Sequence, residues 1–433
     1  MRKKIIIYNV LFIVITVCFS QLYAQDIFDQ LNDTAVINAD EAPMSAAPIM
    51  DKKWNKIKTK YFTLNFGVAM FFDYNTVNQD DNNIDQVGKI GPETEFRAQR
   101  LIVSGNLLFF KRPVRYMVSA NYNGMDAPPD SKDFSLIDLN LELPFGKSGW
   151  LTVGKQKEGV GHEYVAPGSQ LTYTERASGV PAFIKQRNTG IRYSNSILKN
   201  RMTYTVGVFN NWIESGNNNS FADNGMQLTS RVTYLPQFVS ARNFIHLGVG
   251  YRYSDAPLDK LSYKAKPEAN TAPSFINTGS FDASASNTIM FEAMTVQGPV
   301  SFIGEYMQAY VKSSSTGNPS FNYWQIGGSW FITGENRNYN QQTGNLGKLI
   351  PKKNFKFRKG SGPGAFEIGA RYTKSDFVDA GINGGRFGRF TTALSWFPNA
   401  HFRYEINYGI GKLDKNNISG NANFLQFRAQ FEL

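Results

Sequence analysis

The chain has 433 residues, 19% of them charged and 14% aromatic, and a formal net charge of +11. Its one cysteine, Cys18, excludes a disulfide within the chain, and after residue 24 no apolar run approaches the roughly 20 residues a membrane helix needs. With 34 Phe, 21 Tyr and 38 Gly, and no periodic blocks of helix formers, the composition is that of a β protein with many turns.

Taken in chain order, the first element is a secretory signal, 1–24. Arg2, Lys3 and Lys4 precede an apolar stretch from Ile5 to Phe19, and Leu22-Tyr23-Ala24 offers a small residue at the cleavage position. Cys18 falls inside it, so cleavage leaves a mature chain without a thiol. Residues 25–60 carry Pro43 and Pro48, end in a basic stretch and lack alternation; they are expected to be a flexible periplasmic lead-in. From 61 onward one pattern repeats, about ten residues of apolar and polar alternation followed by a turn or loop. Sixteen strands are expected, at 61–74, 94–110, 113–123, 134–143, 149–157, 187–195, 201–210 and 225–236. The rest are at 243–254, 287–297, 299–312, 320–333, 364–374, 386–397, 401–411 and 422–433. Most match the roughly 9–11 residues with which a tilted strand crosses a bilayer.

Short connections such as Lys111-Arg112, Gly298 and Pro398–Ala400 alternate with longer ones, 75–93, 158–186, 211–224 and 255–286. Connections of two lengths and a chain that ends within a strand predict an all-β fold, a transmembrane antiparallel β-barrel in the outer membrane, over 61–433. The connection 334–363 is long where a short turn is expected. The third outer loop, 158–186, is expected to fold into the lumen and carries His162, Glu163, Glu175, Arg176, Lys185 and Arg187, with Lys155 and Lys157 just before it.

Side-chain parity assigns the facing of each strand. Opposite the apolar sets lie Arg100, Arg115, Arg192, Arg231, Arg252, Arg371, Arg389, Arg403 and Arg428. The inward acids are fewer: Asp138, Glu142, Glu305, Glu367, Glu405 and Glu432. A lumen with excess guanidinium attracts small anions. The expected pore-lining or anion-binding set therefore joins these nine arginines to Lys155, Lys157, Arg176, Lys185 and Arg187. A general-diffusion porin and a receptor or adhesin barrel remain as alternatives. Only His162, His246 and His401 are available for acid–base chemistry, and His246 has no carboxylate at an obvious partner position. No catalytic constellation, metal site or cofactor is expected, and the dispersed charge does not suit nucleic acid.

Several stretches carry a resemblance to a known family. Phe96-Arg97-Ala98-Gln99-Arg100-Leu101, Gly154-Lys155-Gln156-Lys157-Glu158 and Tyr173-Thr174-Glu175-Arg176 with Ala182-Phe183 are three. Thr333-Gly334-Glu335-Asn336-Arg337-Asn338-Tyr339, then Gly364-Ala365-Phe366-Glu367-Ile368-Gly369-Ala370-Arg371-Tyr372, is the most specific, and Trp396-Phe397-Pro398-Asn399 completes the set. Together they resemble the phosphate-selective porin O and P family of Gram-negative outer membranes, over about 61–433. The resemblance implies a trimeric sixteen-stranded barrel that passes phosphate or related anions past an arginine ladder and a lysine-bearing constriction. It also accounts for the long connection at 334–363. The chain departs from the family where Gly159-Val160-Gly161-His162 stands in place of Pro-Phe at the loop entry, and where Leu433 replaces a terminal Phe.

Overall fold

The computed structural model describes residues 55–122, 134–185, 187–210, 225–355 and 362–433. The expected signal segment, all but the last residues of the lead-in, and the loop 211–224 lie outside the described residues. Sixteen long strands follow one another: β1 (Phe62–Gln79), β2 (Glu93–Leu107), β3 (Val114–Tyr122), β4 (Phe134–Phe145), β5 (Gly149–Gln156) and β6 (Asn188–Ile197). Then come β7 (Met202–Phe209), β8 (Gln227–Ser240), β9 (Asn243–Asp255), β10 (Ala285–Gln297) and β11 (Val300–Lys312). The last five are β12 (Ser320–Phe331), β13 (Ala365–Asp379), β14 (Ile382–Phe397), β15 (Phe402–Lys415) and β16 (Ile418–Glu432). Each pairs antiparallel with its chain neighbours, and β16 returns to pair with β1, from Glu432 opposite Ala69 to Ala422 opposite Gln79. The closed sheet has no edge, so its backbone donors and acceptors are satisfied without water. Lys56–Lys58 forms one further short strand beside Thr63–Asn65.

β15 shows why these residues make a barrel wall. Phe402, Tyr404, Ile406, Tyr408 and Ile410 are exposed, whereas the intervening Arg403, Glu405 and Asn407 are buried. Apolar side chains outside and polar ones inside invert the pattern of a water-soluble fold, and a Lys or Arg on the outer face would cost about 2–4 kcal/mol at the bilayer midplane. Outer-face aromatics stack near one end, Tyr404 on Trp396 at 5.6 Å and Trp396 on Phe366 at 6.0 Å.

The hydrophobic core lies on the inner face. Phe321, Tyr323, Phe377, Phe387 and Phe424 pack against Val160, Tyr164, Phe183 and Ile184 of the β5–β6 connection and Phe275 and Ile276 of the β9–β10 connection. Phe183 stacks on Phe377 at 5.1 Å, and Phe275 meets Phe387 edge-on at 5.2 Å. The β9–β10 connection is ordered by two short antiparallel pairs, Lys260–Leu261 with Phe281–Asp282 and Lys264–Ala265 with Ile276–Asn277.

Two features differ from the expected layout. β1, β13, β14, β15 and β16 run four or five residues further than expected at the long-loop end, so the last two turns there are as tight as those opposite. Ala380 (φ 47°) with Gly381 (φ 79°), and Asn416 (φ 53°) with Asn417 (φ 61°), occupy the left-handed region that two-residue hairpins demand. The alternation in loop length thus ends before the last quarter of the chain. The other is the 334–363 connection, which makes a small hairpin, Tyr339–Asn340 with Asn345–Leu346, against inner-face residues. At its tip Gly344 (φ 59°) is so close to the wall that a Cβ there would lie 2.5 Å from Thr233 Oγ1. Asn345 Nδ2 donates to Val165 O at 3.0 Å and the Leu349 amide to Gln170 Oε1 at 3.0 Å, joining this hairpin to the β5–β6 connection.

Candidate anion-binding site

A cavity of about 390 Å³ lies between the inner faces of β1, β2 and β16, the β5–β6 connection and the β9–β10 connection. Eight basic residues line it, against three acidic ones, Glu175, Glu268 and Glu432. Five of the eight, Arg100, Lys157, Arg176, Arg187 and Arg428, belong to the set expected from sequence. The other three are Arg97, Lys264 and Lys266.

Two of these cations are held by backbone carbonyls. Lys157 Nζ donates to the carbonyls of Tyr164, Val165 and Ala166 at 2.9–3.0 Å, and Arg176 donates from Nε to Glu163 O at 2.9 Å and from Nη2 to Ala166 O at 2.8 Å. Both contacts fall on the helical turn His162–Val165 and the residue after it, where carbonyls are left without intrahelical donors. Among the described residues no carboxylate comes within ion-pair distance of either cation. Both are held by carbonyl dipoles and not by an ion pair. Arg100 also lines the cavity, and its Nε meets no hydrogen-bond partner.

Three other cavity cations, Arg428, Arg97 and Arg187, are partly neutralised. Arg428 grips Asp73 with Nε at 2.7 Å and Nη2 at 2.6 Å, across the β1–β16 seam, and reaches Glu175 at 3.1 Å. Arg97 meets the same Glu175 at 2.7 Å. Burial alone would raise the Glu175 carboxyl, but Arg97 and Arg428 outweigh it and hold it down at about 2. Arg187 pairs with Asp138 at 2.7 Å.

Elsewhere the expected arginines are mostly in structural pairs. Arg371 bridges Glu163 at 2.7 Å and Glu268 at 2.6 Å, so one guanidinium ties the β5–β6 and β9–β10 connections to β13. Arg252 pairs with Glu158, Arg231 with Glu292 and Arg403 with Glu405. Arg115 lies 3.5 Å from Glu142 with its guanidinium 3.8 Å over the Trp150 ring. Arg389 donates to Gln426 at 2.6 Å, and Arg192 to the carbonyl of Lys157 at 2.9 Å. Lys155 is buried in β5 and Lys185 is exposed; neither lines the cavity. Arg371, Arg403 and Arg428 also donate to carbonyls of 171–175.

Parity missed Arg97 because β2 carries a bulge there. Register with β1 shifts between Phe71 opposite Ala98 and Phe72 opposite Phe96, so Arg97 is the extra residue. Glu268, Lys264 and Lys266 sit in a long loop, where alternation carries no facing information. His246, expected to lack a carboxylate partner, has Nε2 3.1 Å from Glu292 Oε1, because Glu292 lies diagonally across the β9–β10 pair.

The family model for phosphate-selective porin O and P matches residues 62–433, the whole barrel. The chain belongs to this family. Among solved structures the porin is similar to an anion-selective porin from Comamonas acidovorans (TM-score 0.54, 11% identity, 86% of this chain and 100% of that one). It is also similar to the outer membrane channel DcaP of Acinetobacter baumannii (TM-score 0.52, 13% identity, 87% and 99%). These likenesses concern the fold. An uncharacterised protein of Caulobacter vibrioides is 28% identical over 254 residues, 55% of this porin and 48% of the relative, so the match spans about half of the curated relative.

Burial, reinforced by Arg176 and Arg187, pushes the Lys157 ammonium well below the ordinary lysine value. A lowered pKa on a base means its charge is lost earlier as pH rises. The positive charge of the cavity is therefore expected to fall with rising pH in a window below about 10.4, the ordinary lysine value. Reversal potentials measured between about pH 5 and pH 10 should show this drift, and Lys157→Arg should flatten it because arginine stays charged.

Proposed function

We propose that this outer-membrane porin passes small anions, phosphate or related oxyanions among them, by diffusion through the basic cavity. In this reading the β5–β6 connection is the inward-folded loop that narrows the lumen, and the chain is exported by its cleaved signal and assembles as a homotrimer. The observation that carries the proposal is the surplus of eight basic over three acidic residues around one cavity, with Lys157 and Arg176 held by carbonyls and in no ion pair among the described residues. A low-dielectric wall focuses such a field, and guanidinium groups suit the geometry of phosphate and carboxylate. Family membership and the anion selectivity of the Comamonas porin point the same way.

The test is the reversal potential of the purified porin in a planar bilayer under a KCl gradient, with phosphate then added. Anion selectivity partly blocked by phosphate supports the reading. Weak selectivity without a phosphate effect reduces the function to general diffusion. Arg100→Glu combined with Lys266→Glu replaces two positive charges in the cavity with negative ones; neither residue is in an ion pair among the described residues. The anion-over-cation permeability ratio is expected to fall roughly tenfold. An unchanged ratio would place the conducting path elsewhere.

A further inference from the structure

One buried cluster lies outside the basic cavity. His162, from the helical turn after β5, His246 on β9 and Glu292 on β10 bring their nitrogen and carboxylate atoms within 4.8 Å of one another. All three are buried, and the two imidazoles stand edge to face with centroids 5.6 Å apart. His246 Nδ1 lies 2.6 Å from the Tyr339 hydroxyl of the 334–363 hairpin, which holds the ring in place. His162 differs. It is 1% exposed, yet neither Nδ1 nor Nε2 has a hydrogen-bond partner. An imidazole without a partner at either nitrogen has a lone pair free for the cluster, whose ligand atoms all lie within 4.8 Å of one another. An orphaned buried polar group is costly, and a bound ligand would remove that cost.

One guanidinium, Arg231, reaches the cluster and is paired with Glu292, and a second buried acid stands beside it. Glu305 stands directly opposite Glu292 on β11 and is buried. Neither of its oxygens reaches a partner at bonding geometry; the amides of His162 and Glu163 are its nearest donors. Arg231 meets Glu292 through Oε1, the same oxygen that His246 meets, and also donates to the carbonyls of Thr343 and Gly344.

We propose that His162, His246 and Glu292 form a binding site for a divalent transition-metal ion of the zinc type. Two neutral imidazoles and one carboxylate are a borderline-soft donor set that suits zinc and leaves one position of a tetrahedron open. A tetrahedral site needs ligand atoms roughly 3.3–3.5 Å apart, so the cluster closes on the ion by rotation of the His162 ring. Glu292 turns Oε2 toward the metal while Oε1 keeps Arg231. For Nε2 of His246 to ligate, its proton moves to Nδ1 and is donated to Tyr339, the outer partner that fixes the tautomer. A bound ion would join the β5–β6 connection to the barrel wall, with the 334–363 hairpin braced behind it.

The site is tested on the purified full-length chain in detergent, with cobalt(II) and zinc(II) as the probes. Cobalt is expected to give a visible absorption band at one ion per chain, displaced by zinc, with calorimetric affinity around the micromolar range. His162→Ala should abolish the band, and Glu292→Gln should weaken zinc binding at least tenfold, as should His246→Gln. His401→Ala, at the remaining histidine, should leave both unchanged. A folded wild-type barrel with no cobalt band overturns the proposal, as does a band that survives His162→Ala. If His162→Ala does not fold, Glu292→Gln, nearly isosteric, decides on the same criterion. The readout involves no ion flux, so it stands or falls independently of anion transport.

Discussion

Replacing Arg371 with methionine is expected to destabilise the barrel by about 3–5 kcal/mol, the usual result of removing one partner from a buried ion pair. The guanidinium is 2% exposed and bridges two carboxylates that are almost as deeply buried, Glu163 and Glu268. It also rests 4.2 Å from the centre of the Tyr173 ring and donates to the Glu175 carbonyl. Its loss leaves two buried acids facing each other, with only the longer Arg389–Glu268 pair at 3.8 Å still in reach. The cost should appear as a lower midpoint in urea-induced unfolding from lipid vesicles. Adding Glu163→Gln and Glu268→Gln to the same chain should recover most of it, since the amides carry no charge to repel. If the single variant is as stable as wild type, the bridge does not hold the loops to β13. Arg371→Glu would be worse still, and a change in selectivity in such a variant would report misfolding rather than facing.

Deletion of 163–182 is expected to raise single-channel conductance, on the order of two- to fivefold, because it removes the segment whose carbonyls meet Arg371, Arg403 and Arg428. It also removes Glu163 and Glu175, so guanidinium groups at Arg371 and Arg428 lose carboxylate partners in a widened, wetter lumen. Anion selectivity should then persist although Arg176 is gone. Conductance equal to wild type in a folded barrel would mean that this connection lies off the conducting path.

The barrel was legible in the sequence because its wall obeys a two-residue period with little interruption. Each of the sixteen expected strands has its counterpart, and inner-face positions such as Arg403, Glu405 and Asn407 follow from Phe402, Tyr404 and Ile406 alone. The outer ends of β13 to β16 were less visible, since Ala380-Gly381 and Asn416-Asn417 are tight turns set within Gly- and Asn-rich segments that read as loop. Of the candidate site, the basic character and the Lys157–Arg176–Arg187 neighbourhood were legible. The partners were not. Ion pairs such as Arg371 with Glu268, or Arg252 with Glu158, join strands to loops about a hundred residues away, and periodicity has no reach over such distances. Arg97 was lost to a bulge, a single added residue that reverses facing without leaving a mark in composition. The His162–His246–Glu292 cluster needs a loop, two strands and a diagonal pairing to exist at all.

Arg428 sits where the last strand meets the first, holding Asp73 on β1 while reaching Glu175 and the Thr174 carbonyl. The same side chain thus reads two events, that the ends of the chain have met and that the segment at 174–175 has arrived. A seam closed without that segment in place would leave the guanidinium with one anchor, Asp73, instead of three. One side chain thus makes the closing seam and the docking of the 174–175 segment depend on each other, so that loosening either is expected to loosen both.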